Sequence, residues 1–135
     1  MDARTSAHLR RAERNRDIAR EIIESSWSVQ PAPYEWAVVA GFYAAVHDVN
    51  AYLWEKHQYE PRDHDDRQRA VARHADLKPV LGAYTRLRDL AFQARYMATF
   101  RVTEAAARAA VSSDLADVER AVMSALGAGP AGSPD

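Results

Sequence analysis

Between Tyr34 and Lys56 the chain runs YEWAVVAGFYAAVHDVNAYLWEK, more than twenty residues with almost nothing that requires water. Apolar residues recur at Trp36, Val39, Ala40, Tyr43 and Val46, and again at Val38, Phe42, Ala45, Val49 and Tyr52. Two adjacent stripes of one helix are therefore hydrophobic, and a helix of that kind is buried between neighbours. A third line, Ala37, Gly41, Ala44 and Ala51, is small and lets another backbone approach, although Asp48 interrupts it. The Trp36, Ala40, Tyr43 stripe continues into His47 and Asn50 before reaching Trp54, so two polar side chains stand one turn apart where the pattern predicts core.

The rest of the chain supplies the neighbours. Leu9, Ala12, Ile18, Ala19, Ile22 and Ile23 keep a helical period from about Ser6 to Ser25, with arginines on the other face. SSWSVQPAP ends that helix, and Pro33 suits the first turn of the next one. The central helix stops near His57. A third helix is expected to start between Asp63 and Asp66, placing acids in its first turn, with Ala70, Val71 and Ala75 inward. Asp76 and Pro79 mark a break, after which Val80, Leu81, Tyr84, Leu87, Leu90 and Ala91 give an amphipathic segment to about Tyr96. Met97 to Val102 is a link. Thr103 is a candidate N-cap for a last helix with Ala106, Ala110, Leu115, Val118, Val122 and Leu126 inward and Gly127 closing it. No stretch alternates with period two. The expectation is an all-α fold, an antiparallel bundle of four long helices with the third broken near Asp76 to Pro79, spanning residues 1–126 and followed by a disordered tail over 127–135.

Composition narrows the function classes. A chain of 135 residues, 47% hydrophobic and 27% charged, is one domain's worth of soluble globular sequence. There is no cysteine, hence no disulfide framework, thiolate metal site or cysteine nucleophile. No apolar run reaches the roughly 18 to 20 residues needed to span a bilayer, and the charged N-terminus is no signal peptide, so a cytoplasmic location is expected. Arg4, Arg10, Arg11, Arg14, Arg16 and Arg20 crowd the first segment, a pattern read as a solvated face rather than a nucleic-acid stripe.

Few polar residues lie on apolar or junctional ground. They are His47 and Asn50, His64 with Arg67 at the start of the third helix, Tyr84, and Arg95 with Tyr96. A histidine beside an arginine is the minimum for acid-base chemistry on a phosphodiester, since the imidazole moves a proton and the guanidinium stabilises an anionic phosphorane. His47 could equally be a satisfied core histidine bonded to Asn50 or a tyrosine. There is no Glu-x-x-His pair, His47 and Asp48 lie on different faces, and Gly41 and Gly82 sit inside helices, so neither a metal site nor a glycine-rich phosphate loop is expected, and no cofactor.

The run from Trp36 to Leu53 with its FYAAVH, then PRDHDDR over 61–67, Tyr84 and the Ala94-Arg95-Tyr96 triplet resembles small bacterial proteins of the HEPN superfamily over roughly residues 10 to 125. The resemblance implies an α-helical bundle, often a homodimer, whose members include metal-independent RNases of toxin-antitoxin or defence systems and non-catalytic RNA or nucleotide binders. It also implies a signature of arginine, four to six residues, then histidine, which Arg69 to His74 and Arg67 to His74 both match; Gln68 after Arg67 favours the latter. On this reading His64 or His74 withdraws the ribose 2′-hydroxyl proton and Arg67 with Arg95 stabilises the phosphorane, with His47, Asn50, Arg69, Tyr84 and Tyr96 contacting RNA or a nucleotide. An antitoxin or a nucleotidyltransferase is the implied partner. The rival is a non-catalytic module that binds a nucleotide or a protein through a bundle face.

Two spatial expectations follow. Trp27, Trp54 and Tyr59 at helix ends leave aromatic surface for a second copy. His64, Arg67 and Arg95 should be neighbours, and because a straight helix joining them would be about 45 Å long, the chain must turn back between them or a dimer must bring Arg95 across.

Overall fold

In the computed structural model, which describes residues 1–127, α1 (Ala3–Glu24) starts three residues before the expected Ser6. The cause is Asp2, whose carboxylate accepts the Arg4 N–H at 2.7 Å and so caps the first turn. The same carboxylate accepts the Trp54 indole N–H at 3.0 Å, tying the start of α1 to the end of the central helix, α2 (Tyr34–His57). Thr5 donates to Glu55 at 2.8 Å nearby, while Ile22 and Trp36 line one groove at the other end, so α1 and α2 are antiparallel. Gln58 ends α2 in the left-handed region at φ 50°, its N–H returning to the Trp54 carbonyl.

Asp63 caps α3 (His64–Arg73) by accepting the Asp66 N–H at 2.7 Å. This helix ends earlier than expected: its last turn closes on the His74 N–H bonded to Ala70, and His74 is already extended. Ala75, expected inward, is therefore exposed, and fully buried Leu77 takes its place in the core. A 3-10 turn over Lys78–Val80 with Pro79 inside it leads into α4 (Leu81–Tyr96). Thr103 caps α5 (Glu104–Ala109) through the Ala106 N–H, and a π-helical turn (Ala110–Asp114) joins it to α6 (Leu115–Ala125) without a break. Gly127, at φ 74°, follows α6. The fold is all-α, with no strand among the described residues; the tail expected beyond Gly127 lies outside them.

α2 is the axis of packing, with α1, α4 and α6 against it. Phe42, Val49, Leu53, Tyr84, Leu87, Leu115 and Val118 are buried to within 1% exposure of completeness. Each such side chain contributes about 1.5 to 3 kcal/mol through burial. The small line on α2 does what its residues allow: a Cβ on Gly41 would stand 3.5 Å from Val111 of the π turn, so that turn packs on the α2 backbone. Asp48, which interrupts the line, is wholly buried against Arg16 at 3.2 Å, and Arg16 reaches Glu119 at 2.9 Å. Burial pushes the Asp48 carboxyl up against the opposing pull of Arg16.

Two expectations about surface fail. The Trp36 stripe is core only at Val46; Trp36 is 55% exposed, and Val39, Ala40 and Tyr43 are half-buried along an open groove of about 450 Å³ that Ile18 and Ile22 of α1 also line. Trp54 and Tyr59 are not left over, because the Arg4 guanidinium lies 4.0 Å above the Trp54 ring and the Tyr59 hydroxyl donates to Asp66 beneath Arg73. The exposed aromatics are instead Trp36, Phe92 and Tyr96, with Trp27 at the margin. Among the described residues no helix is long and apolar enough to cross a membrane.

Candidate nucleotide-binding site

Arg67 is the centre of the polar residues that the fold gathers. It leaves α3 one turn after the Asp63 cap, is 8% exposed, and donates from Nε to Asn50 Oδ1 at 2.9 Å and from Nη1 to His64 Nδ1 at 2.9 Å. A guanidinium only donates, so His64 Nδ1 must accept, and the neutral His64 ring then carries its hydrogen on Nε2. Burial, Arg67, Arg88 and Arg95 together hold the His64 imidazole below its ordinary range. Asn50, one of the two polar residues on the α2 stripe, spends its amide oxygen on Arg67.

Arg95 comes to the same place from the far end of α4. Its Nη1 donates to the Tyr43 hydroxyl at 2.8 Å, and the Tyr43 and His64 rings lie 6.0 Å apart. The turn through His74 to Val80 makes this possible within one chain, since it sends α4 back along α2. Tyr84 lies beneath the cluster, fully buried against Phe42 with its hydroxyl unbonded to protein; burial pushes its phenol up while nearby Arg67 pulls down. Tyr84 therefore backs the cluster rather than lining it. Tyr96 is exposed beside the Arg95 guanidinium, 4.9 Å away.

His47 stands one turn before Asn50, at the edge of the groove, and its Nδ1 is 3.0 Å from His8 Nδ1; His8 Nε2 is 3.2 Å from Glu60. Burial first, then the charges of His8, Arg11 and Arg67, lower His47 to about 4. His8, Glu60 and Tyr43 were missed in the sequence. His8 lies in the arginine-rich helix that reads as solvated, and Glu60 lies in a charged loop 52 residues away, so no spacing joins them.

The other two residues singled out are elsewhere. His74 is at the opposite end of α3 from His64, stacked on His57 at 4.1 Å between ring centres. Arg69 is exposed and pairs with Asp66 at 3.7 Å. Asp66 is held at about 2, chiefly by the Tyr59 hydroxyl and the Arg62 N–H, and Asp65 pairs with Arg88. The acids around α3 are thus committed to other partners, leaving Arg67 and Arg95 bonded only through neutral side chains. Among the described residues no group of three or more His, Asp or Glu side chains is placed to hold a metal ion.

The arrangement gathers donors and positive charge in one place, the complement of a phosphate. A family model described as HEPN domain matches residues 5–122 of the sequence. No curated protein matches it.

Proposed function

The chain belongs to the HEPN domain family, and on that premise we propose that it binds RNA or a nucleotide with a phosphate held by Arg67, His64 and Arg95. Family membership supports an RNA-related or nucleotide-binding function at the level of the superfamily. The observation that carries the finer reading is the Arg67 to His64 hydrogen bond, anchored by Asn50. It fixes the guanidinium in place and turns His64 into a second donor, through Nε2–H. Both are aimed at an acceptor-rich anion, and neither loses much side-chain freedom when the anion arrives.

The same cluster suits a metal-independent endoribonuclease of a toxin-antitoxin or defence system in one respect: Arg67 and Arg95 would stabilise the extra negative charge of a phosphorane. Such an enzyme also needs a proton acceptor. His64 does not offer one in this geometry, because the lone pair on Nδ1 is spent on Arg67, and His74 is a helix length away. That geometry argues against His64 and His74 as the base, so binding is the function we propose. A homodimer is proposed as well, supported by the exposed Phe92, Tyr96 and Met97 next to Arg95; light scattering that gives a monomer at tens of micromolar, as an order of magnitude, would refute it.

The test is binding of single-stranded RNA by purified protein, with RNA integrity followed in the same tubes. Arg67→Ala and the more exposed Arg95→Ala are each expected to weaken binding by about tenfold, the loss typical of a charge-assisted phosphate contact. Unchanged affinity in both variants would remove the phosphate reading.

A further inference from the structure

His64, Arg67 and Arg95 offer a ligand only hydrogens. His47, one turn along α2 from the asparagine that holds Arg67, is built the other way. Glu60 is a carboxylate that accepts, so a His8 ring carrying a single hydrogen places it on Nε2, toward Glu60 across 3.2 Å, and keeps a lone pair on Nδ1. That lone pair faces His47 Nδ1 at 3.0 Å, which must then be the donor. A neutral imidazole with hydrogen on Nδ1 has a bare Nε2. In water the opposite tautomer is the commoner one, so the chain from α1 and the loop after α2 imposes the rarer state on His47.

We infer that Glu60, His8 and His47 form a hydrogen-bonded chain that makes His47 Nε2 the acceptor of the site, and that its ligand group is a ribose 2′-hydroxyl. The inference rests on the phosphate reading of Arg67. It adds the chemistry that selects one phosphate compound over another: the ligand must carry an anion and, within one helical turn of it, an O–H to donate. A ribonucleotide meets both demands. A deoxyribonucleotide keeps the anion and lacks the hydroxyl at that place, leaving His47 Nε2 unpaired, and a site built to bond a hydroxyl discriminates strongly against the analogue without it. Tyr43 links the two halves, since it lies one turn from His47 on the same face and accepts from Arg95 at 2.8 Å. His8 is a positioning residue here and touches no ligand. The low pKa of His47 fits this role, because the ring stays neutral and accepting through the physiological range.

Two measurements on the full chain test it. Nitrogen-resolved NMR of the histidine rings at neutral pH should show His47 as the Nδ1–H tautomer; His8→Ala should return it to Nε2–H, and His8→Asn, whose amide oxygen can stand in for the His8 Nδ1 acceptor, should restore it. A wild-type His47 with hydrogen on Nε2 overturns the relay. Binding of oligouridylate is then compared with oligodeoxyuridylate, and of UMP with dUMP, which separates a strand from a free nucleotide. The ribose form should bind about tenfold tighter, and the ratio should fall toward one in His8→Ala and His47→Ala. Arg67→Ala should weaken both forms together with the ratio retained. Equal wild-type affinity for the ribose and deoxyribose forms overturns the hydroxyl assignment alone, whereas no binding of any of the four overturns the phosphate reading and the hydroxyl assignment with it.

Discussion

The two ends of α3 carry one histidine each, and they are put to different uses. At the N-terminal end His64 accepts from a nearly buried arginine, with Tyr43 and Arg95 close by. At the C-terminal end His74 stacks on His57 with no guanidinium bonded to either, and Tyr52, beneath, donates to Asp76 at 2.9 Å. Burial, followed by Asp76, pushes the Tyr52 phenol up to about 12. The arginine-to-histidine spacing in the sequence points at His74. The bundle instead collects its cations around His64, because α4 returns along α2 and delivers Arg95 there. Sequence spacing on one helix is thus a weaker guide than the topology that decides which helix ends meet.

The largest contrast is expected between Arg67→Ala and His74→Ala. Losing Arg67 strands Asn50 and His64, so stability should drop by about 1 to 3 kcal/mol in denaturant melts alongside the binding loss. His74→Ala should keep RNA affinity within about twofold, as expected for a residue making no phosphate contact. If His74→Ala abolishes binding and Arg67→Ala does not, the two ends have been assigned in the wrong order.

Next in size is acid sensitivity. His47, held at about 4, and His64, also lowered, prefer to be neutral in the fold, whereas both titrate near 6.5 when unfolded. The unfolded chain therefore binds more protons between those values. The stability from these rings is present above about pH 6.5 and lost as the pH falls toward 4. Thermal melts across that window should show the decline, and His47→Gln should make it shallower. Asp48 works against it: its raised carboxyl favours the folded state on the acid side, so Asp48→Asn should steepen the decline if the variant folds.

A smaller effect is expected at the other end of α3. Burial and the neighbouring His57 lower His74, so it adds to the acid decline with the same sign. His74→Phe keeps a stacked ring and removes the proton, and should flatten the curve slightly with a neutral-pH change of about 1 kcal/mol or less. An unaltered acid slope would mean the stack does not titrate in this window. The smallest effect belongs to Trp36→Ala, within about 0.5 kcal/mol in stability, since that ring is more than half exposed.

Much of the helical order was legible from periodicity alone, because α2 is apolar on two stripes and can only be central. The cap at Thr103 was readable because a short polar side chain before a helical run has one common use, and the start of α3 lies within the expected Asp63 to Asp66. The polar pair His47 and Asn50 stood out against apolar neighbours. Asp2 was passed over because a cap at the second residue leaves no preceding context. The burial of the Trp36 stripe was overestimated, since hydrophobicity does not reveal how many neighbours a helix has. His8 and Glu60 could not be found, as each sits among charges where a further polar residue carries no signal, and only the pairing of α1 with the end of α2 brings them together.

The π turn between α5 and α6 sets the register of the last helix. The buried residues are Ala107, Ala110, Val111, Leu115, Val118 and Val122, and the step from Ala110 to Leu115 is five, one more than an α-helix keeps in phase. A wide turn of this kind is how a helix absorbs one inserted residue without rotating everything downstream out of the core. Deleting a single residue there would return the segment to regular α-helix and leave Leu115, Val118 and Val122 facing the core, whereas the same deletion inside α6 would swing the residues beyond it by about 100°. The last helix is therefore two reading frames joined at a seam, and relatives that differ by one residue in this segment should be aligned with separate registers before and after it.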